Sequence, residues 1–319
     1  MPLLSKWQQL PTEAINPATL NIDKLASAEI IDVMLAEDRK MLAAVARERE
    51  RIALAVDIIT QALRKGGRLV FIGAGTSGRL GVLEAAEIPP TFGTSPDQVQ
   101  GIMAGGRAAV LKAREGVEDR YDEGARTVSR MRPSRRDVYV GVSASGITPF
   151  VRGGLAAARN AGARIIFVTC DPAADLQTFV DLTIALGVGP EVIAGSTRLK
   201  AASATKLVLN MLTTGSMVRT GKTYGNLMVD VQSTSEKLKD RARRILMIAA
   251  GLDYDAAGKL LKRAHANVKV AIVMQKTGLA YAQAVLRLRR ANGLVREAVG
   301  EDIEPRLREL LGAAPAARD

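Results

Sequence analysis

Arg68-Leu-Val-Phe-Ile-Gly-Ala-Gly-Thr-Ser-Gly-Arg-Leu-Gly-Val-Leu-Glu-Ala-Ala-Glu-Ile-Pro-Pro-Thr-Phe-Gly93 is the stretch that decides the fold. Leu69 to Ile72 form a β-favouring apolar run between Gly66-Gly67 and Gly73, too short for a buried helix, and predict a buried strand. Gly73 to Gly78 then supply a turn whose backbone N–H groups can converge on one point. A helix predicted to begin near Gly78 adds the positive end of its dipole. Strand, turn and helix start together make a cradle for a small anion such as phosphate. Two carboxylates, Glu84 and Glu87, follow just before the double proline Pro89-Pro90.

Outward from this cradle, further strands are predicted at Val99 to Met103, Val138 to Val142, Arg164 to Thr169 and Leu182 to Leu186, separated by mostly helical segments. Strands alternating with helices imply an α/β chain with a doubly wound parallel sheet, whose ligands bind at the carboxyl ends of the strands near a switch in strand order. Leu35 to Leu63 reads as long helical material, with apolar residues such as Leu42, Val45, Ile52, Val56 and Ile59 at helical spacings. A second cradle follows the strand at 138–142. In Ser143-Ala-Ser-Gly-Ile-Thr-Pro149 the proline suits the first turn of the next helix. A third stretch, Gly195-Ser-Thr-Arg-Leu-Lys200, precedes a helix predicted through Val218. Serine and threonine cap helices everywhere, so each turn alone is ordinary; their recurrence at strand-to-helix turns is the signal.

Composition narrows the function classes. The 319 residues, 47% of them hydrophobic, are ample for a packed core. Met1 to Trp7 carries no secretory apolar core and no apolar stretch reaches membrane-spanning length, so a cytoplasmic chain without a membrane span is expected. The single cysteine, Cys170, has no partner within the chain and fits a reducing compartment. With 45 Lys and Arg against 33 Asp and Glu the formal charge is +12, which invites a nucleic-acid reading. The basic residues are scattered over predicted helices, aromatics are few and no reader module is visible, so no nucleic-acid partner is expected. The lone His265 falls on the predicted C-terminal helices, where packing or a surface position is the simpler role.

Gly73, Gly75 and Gly78 also satisfy the dinucleotide pattern G-x-G-x-x-G. The acidic ribose ligand that pattern wants at the end of the second strand is replaced by Ala104-Gly-Gly-Arg107, which leaves only a phosphorylated ribose in play. A P-loop is excluded, because no Gly-Lys-Ser/Thr follows at the required spacing.

Taken together, the motifs resemble a known family. Asn16-Pro17 with Asn21-Ile-Asp23, Gly73 to Gly81, Glu87 with Pro89-Pro-Thr-Phe-Gly93, Glu115-Gly-Val-Glu-Asp119, Ala144-Ser-Gly146 with Thr148-Pro149, Gly189-Pro-Glu-Val192, Gly195 to Ala201, Lys206 to Met211 and Gly225-Asn-Leu-Met-Val-Asp230 stand in the order found in the sugar isomerase (SIS) fold. Within that fold they are similar to the N-acetylmuramic acid 6-phosphate etherases, over most of residues 12 to 298. The resemblance implies cleavage of the D-lactyl ether at C3 of N-acetylmuramic acid 6-phosphate, giving N-acetylglucosamine 6-phosphate and D-lactate in cell-wall recycling. It implies no metal and no redox cofactor. Carried over by motif, Glu87 is the acid that protonates the lactyl oxygen and later activates water, and Glu118 is the base at C2; the pair is better defined than the division of roles. Thr76, Ser77, Ser143, Ser145 and Thr148, with Ser196 and Thr197, are the implied phosphate and sugar contacts. For Glu84 a place on a helix surface is expected.

The family also implies a homodimer whose sites are completed between chains. The expected organisation is an N-terminal helical segment over 1–60, the SIS domain over 61–250, a small helical bundle over 251–298 and a flexible tail over 299–319. The sequence departs from the family pattern at Ile147, usually arginine, at Ile88, usually cysteine, and at Ala202-Ser-Ala-Thr205 in place of Gly-Thr-Ala-Gln. Losing an arginine beside an anion weakens its binding unless another cation, such as Arg79, compensates. A phosphosugar-binding regulator resembling the glucokinase regulatory protein and a SIS aldose–ketose isomerase remain as alternatives. Retention of both Glu87 and Glu118 favours the etherase.

Overall fold

A computed structural model describes residues 10–174, 179–231 and 235–312. Two compact units divide the chain, the first comprising residues 1–86 and 96–214, the second residues 87–95 and 215–319. The N-terminal heptapeptide and residues 313–319 of the expected tail lie outside the described residues.

In the first unit the described residues form a five-stranded parallel sheet from β1 (Leu69–Gly73), β2 (Val99–Met103), β3 (Val138–Ser143), β4 (Arg164–Thr169) and β5 (Leu182–Ala185), in the order β2-β1-β3-β4-β5. Each strand coincides with a sequence-predicted run to within a residue or two. Every residue of β1 and β3 is buried, as expected of parallel strands covered on both faces. Gly73 pairs with Met103 on one side and Val142 on the other, which brings the carboxyl ends of β1, β2 and β3 to one edge of the sheet. Strand order reverses direction between β1 and β3, and a doubly wound sheet binds its ligand outside such a point.

The helices of this unit are α1 (Ser27–Arg47), α2 (Arg49–Arg64), α3 (Gly75–Phe92), α4 (Gly106–Leu111), α5 (Tyr121–Arg130), α6 (Pro149–Asn160) and α7 (Lys200–Arg219), of which α3 and α7 also give residues to the second unit. The helical run expected over 35–63 is two helices that break at Glu48, where φ is −91° and ψ 8°. Nothing in the residue types signals this break; Ile52, Ala55 and Ile59 of α2 are buried, whereas α1 buries only Glu37, Ala44 and Val45. Helix α3 begins at Gly75, one turn earlier than predicted, and runs through Pro89 and Pro90 to Phe92. The prolines remove two intrahelical donors, but they stand in the final turn, where the helix is about to end in any case.

The second unit is helical: α8 (Glu236–Ala250), α9 (Tyr254–Arg263), α10 (Val268–Thr277), α11 (Tyr281–Arg290), α12 (Val295–Val299) and α13 (Glu304–Leu310). Helix α10 is buried from Val268 to Met274 and is enclosed by Leu246, Leu260, Leu261, Ala284, Val295 and Ile303. Side chains of Ser235, Asp253 and Asn267 cap α8, α9 and α10 by accepting backbone N–H bonds. Asp230 receives Lys222 at 3.0 Å and Lys269 at 2.6 Å. His265 sits in the α9–α10 turn with its ring edge-on to Tyr281, 4.5 Å between centroids, which is a packing role. Among the described residues no helix is long and apolar enough to cross a membrane.

Candidate functional site

A cavity of about 360 Å³ in the first unit is walled by the segments that leave β1, β2 and β3, the place the strand order marks out. From β1 come Ala74 to Ser77 and Arg79; from β2 come Met103, Ala104 and parts of 109–118; from β3 come Ser143 to Ser145 and Thr148. Thr12, Glu13, Gly195 and Thr197 complete the wall.

The first cradle owes its shape to two glycines. A Cβ on Gly78 would lie 2.8 Å from the Gly73 carbonyl oxygen, so the first turn of α3 can close against the end of β1 only without side chains at this crossing. The first intrahelical bond runs from Gly78 N–H to Ala74 O at 3.1 Å, which leaves the N–H groups ahead of it without an intrahelical acceptor. Thr76 and Ser77 stand in this first turn, so an anion here would meet hydroxyls and the positive helix end together. In the second cradle Ser143 Oγ and Thr148 Oγ1 are 2.7 Å apart, and Gly146 takes a positive φ of 77° to turn the chain between them. Thr148 occupies the N-cap position of α6 without making a side-chain cap bond, so its hydroxyl is committed to Ser143 rather than to the helix.

Glu118 lines the cavity from a turn. Its carbonyl accepts the Phe150 N–H at 2.9 Å, tying this turn to the start of α6 and so to the second cradle. Two cations also line the wall, Arg79 and Arg114. Arg79 donates through Nε to Val110 O at 2.9 Å and through Nη2 to Ala109 O at 2.8 Å, so it fastens the end of α4. Ile147, at the position where arginine was expected, is half-buried and is not part of the wall.

A buried ionic group holds the third loop. Glu191 accepts the Lys200 and Ala201 N–H groups at 3.0 and 2.8 Å, capping α7. Burial pushes its carboxyl up. Lys200 Nζ donates to Glu37 Oε2 at 2.7 Å and to Pro190 O at 2.8 Å, and Lys40 also binds Glu37. Burial alone would raise the Glu37 carboxyl, but hydrogen bonds from Lys200, Lys40 and Asn16 outweigh it and hold it down at about 2. The loop between Glu191 and Lys200 is thereby pinned at both ends, with Thr197 and Gly195 on the cavity.

The cavity therefore brings together Thr76, Ser77, Ser143, Ser145, Thr148, Thr197 and Glu118. Ser196 does not line it. Glu87 belongs to the second unit, exposed on α3, with its carbonyl accepting the Thr91 hydroxyl at 2.8 Å. Glu84 corrects its expected surface position: it is 4% exposed and accepts from Thr213 Oγ1 at 2.8 Å and Asn210 Nδ2 at 3.4 Å, joining α3 to α7. Sequence reasoning missed Thr12, Glu13 and Arg114. Arg114 stands directly before Glu115-Gly-Val-Glu118, a signal that was available; Thr12 and Glu13 reach the cavity only through tertiary packing.

Comparisons with known proteins give the chain's relatives. Residues 51–159 match the family model of the glucokinase regulatory protein N-terminal SIS domain. A relative from Nostoc punctiforme named N-acetylmuramic acid 6-phosphate etherase is 51% identical over 276 residues, 86% of this chain and 90% of that one. Another of the same name from Trichormus variabilis is 49% identical over 296 residues, 93% of this chain and 96% of that one. A phosphoheptose isomerase from Francisella tularensis superposes with a TM-score of 0.47 at 17% identity, covering 60% of this chain and 98% of that one. At such identity over nearly the whole length of both chains, this chain belongs to the N-acetylmuramic acid 6-phosphate etherase family.

Proposed function

We propose that the protein cleaves the D-lactyl ether of N-acetylmuramic acid 6-phosphate, releasing D-lactate and N-acetylglucosamine 6-phosphate, as a cytoplasmic step of cell-wall sugar recycling. The observation that carries this reading is the meeting of two hydroxyl-rich strand-to-helix turns and a carboxylate, Glu118, in one cavity at the switch point of the sheet.

The chemistry follows from the substrate. An ether resists direct hydrolysis, but in the ring-opened sugar the C1 aldehyde acidifies the C2 proton. Glu118 takes that proton; the C2–C3 double bond forms as the C3–O bond breaks, and an acid protonates the departing lactyl oxygen. Water then adds at C3 and a proton returns to C2. Glu87 is the acid and water activator in this scheme, assigned by its place in the family motif Glu87 to Gly93. Two carboxylates can divide such work when their surroundings differ. Thr76, Ser77, Ser143, Ser145, Thr148 and Thr197 contact the phosphate and sugar in this reading, and Ser196, implied as a contact by the resemblance, stands outside the cavity wall. Neutral donors at helix ends fix the phosphate, and that remote binding orients C2 and C3 for reaction.

The active form in this reading is a homodimer. Ile31, Leu35 and Leu42 share one face of α1 at helical spacing and are 53%, 51% and 57% exposed, an apolar stripe that supports a second copy as its cover. Incubation of the purified protein with N-acetylmuramic acid 6-phosphate should release D-lactate. Tight binding of the phosphosugar without lactate would instead support the regulator that the matched SIS family model brings to mind.

A further inference from the structure

We infer that Thr12 and Glu13 are substrate contacts that read the hydroxyl and amide donors of the sugar, a recognition element separate from the phosphate cradles. The inference rests on the phosphosugar reading above and deepens it.

Three observations carry it. First, both residues line the cavity although they lie more than fifty residues before the first cradle. They stand in a single 3-10 turn, Pro11–Glu13, tied to the third loop by the Gly195 N–H, which donates to Thr12 O at 3.1 Å. Second, Thr12 is 2% exposed and its Oγ1 has no hydrogen-bond partner among the described residues. Buried hydroxyls are almost always paired, so one left unpaired and closed off in the layer that walls a cavity points to a partner it gains when that wall adjusts around a ligand. Third, the third loop lies against Glu13: a Cβ on Gly195 would come within 2.9 Å of Glu13 Oε2, the movable end of that side chain, while the positive φ of 78° is what favours glycine there.

The charge of Glu13 decides what it can bind. A carboxylate repels a phosphate and only accepts hydrogen bonds, so its partner must be a donor. A phosphorylated amino sugar offers such donors in its hydroxyls and its acetamido N–H. The phosphate goes to the neutral hydroxyls of the α3 and α6 cradles, and Glu13 with Thr12 takes the donor-rich part of the sugar. Glu13 is exposed on the cavity wall, where a ligand's donors can reach it.

Titration calorimetry on the full chain separates the two recognition elements, with N-acetylglucosamine 6-phosphate and inorganic phosphate as probes. Glu13→Gln keeps the shape and removes the charge; Thr12→Val keeps the volume and removes the hydroxyl. Each should weaken the sugar phosphate by about tenfold or more, the range expected for losing one such bond, while phosphate affinity stays within about twofold. Thr12→Ser should restore sugar binding. Unchanged sugar affinity in Glu13→Gln and Thr12→Val overturns the inference, and so does an equal loss for both probes with a lowered thermal midpoint, which would mark a structural role. Wild-type protein that binds phosphate and not the sugar phosphate overturns the phosphosugar reading, and this inference with it.

Discussion

The hydroxyls of Ser143 and Thr148 meet at 2.7 Å across the turn from β3 to α6, so each side chain fixes the orientation of the other at the mouth of the second cradle. Because they act as one unit, their removal should not be additive. Ser143→Ala and Thr148→Val should each raise KM by about tenfold with a smaller change in kcat, and the double variant should be little worse than either single one. Steady-state kinetics on the four proteins of the cycle measure this; fully additive losses would show that the two hydroxyls bind independently.

The first cradle depends on backbone contact. In Gly78→Ala the new methyl would press on the Gly73 carbonyl and on Met103 Cγ, both 2.8 Å away. The start of α3 must then move off β1, at a cost of about 1–3 kcal/mol in stability and with loss of phosphate affinity. Urea unfolding and phosphate titration should show both effects.

Glu37 and Lys200 give the first unit a defined acid sensitivity. The Glu37 carboxyl is held at about 2 against an ordinary 4.5, so its contribution is complete above pH 4.5 and is lost as pH falls towards 2. The shift corresponds to on the order of 3 kcal/mol. Lys200→Met leaves Glu37 buried without its main partner and should cost about 3–5 kcal/mol at neutral pH. Denaturation from pH 7 to pH 2.5 should show wild type and variant converging below pH 4.5; a constant gap would exclude this pair as the cause.

Arg68 and Asp137 close the entry to β1 and β3. Asp137 accepts from Arg68 N, Nε and Nη2 at 2.9, 3.2 and 2.7 Å and also from Ser134 N, and despite burial these bonds hold its carboxyl below the usual range. Asp137→Ala should lower stability by about 3 kcal/mol while leaving KM unchanged in the folded fraction, because neither residue lines the cavity. A raised KM in this variant would place the pair in substrate binding.

How much of this was legible in the sequence depended on whether the cause was local. The five strands were readable because each is a short run rich in apolar and β-favouring residues, with β1 and β3 buried throughout; the first two cradles were readable because glycine and hydroxyl residues follow β1 and β3. The break at Glu48 was not, since the residues on both sides have good helix propensity and its carboxylate accepts from Ala185 N, 137 residues away, at 3.3 Å. Nor was the burial of Glu84, whose partners Asn210 and Thr213 are 126 and 129 residues away. Thr12 and Glu13 escaped for the same reason: nothing near them in the chain indicates that Gly195 will fold over them.

Deuterium exchange at C2 of the sugar tests the elimination scheme most directly. With N-acetylmuramic acid 6-phosphate in D2O, wild-type protein should form N-acetylglucosamine 6-phosphate carrying deuterium at C2, together with D-lactate, and Glu118→Gln should lose both products together. Product formed without deuterium at C2, or undiminished exchange in Glu118→Gln, would contradict removal of that proton by Glu118.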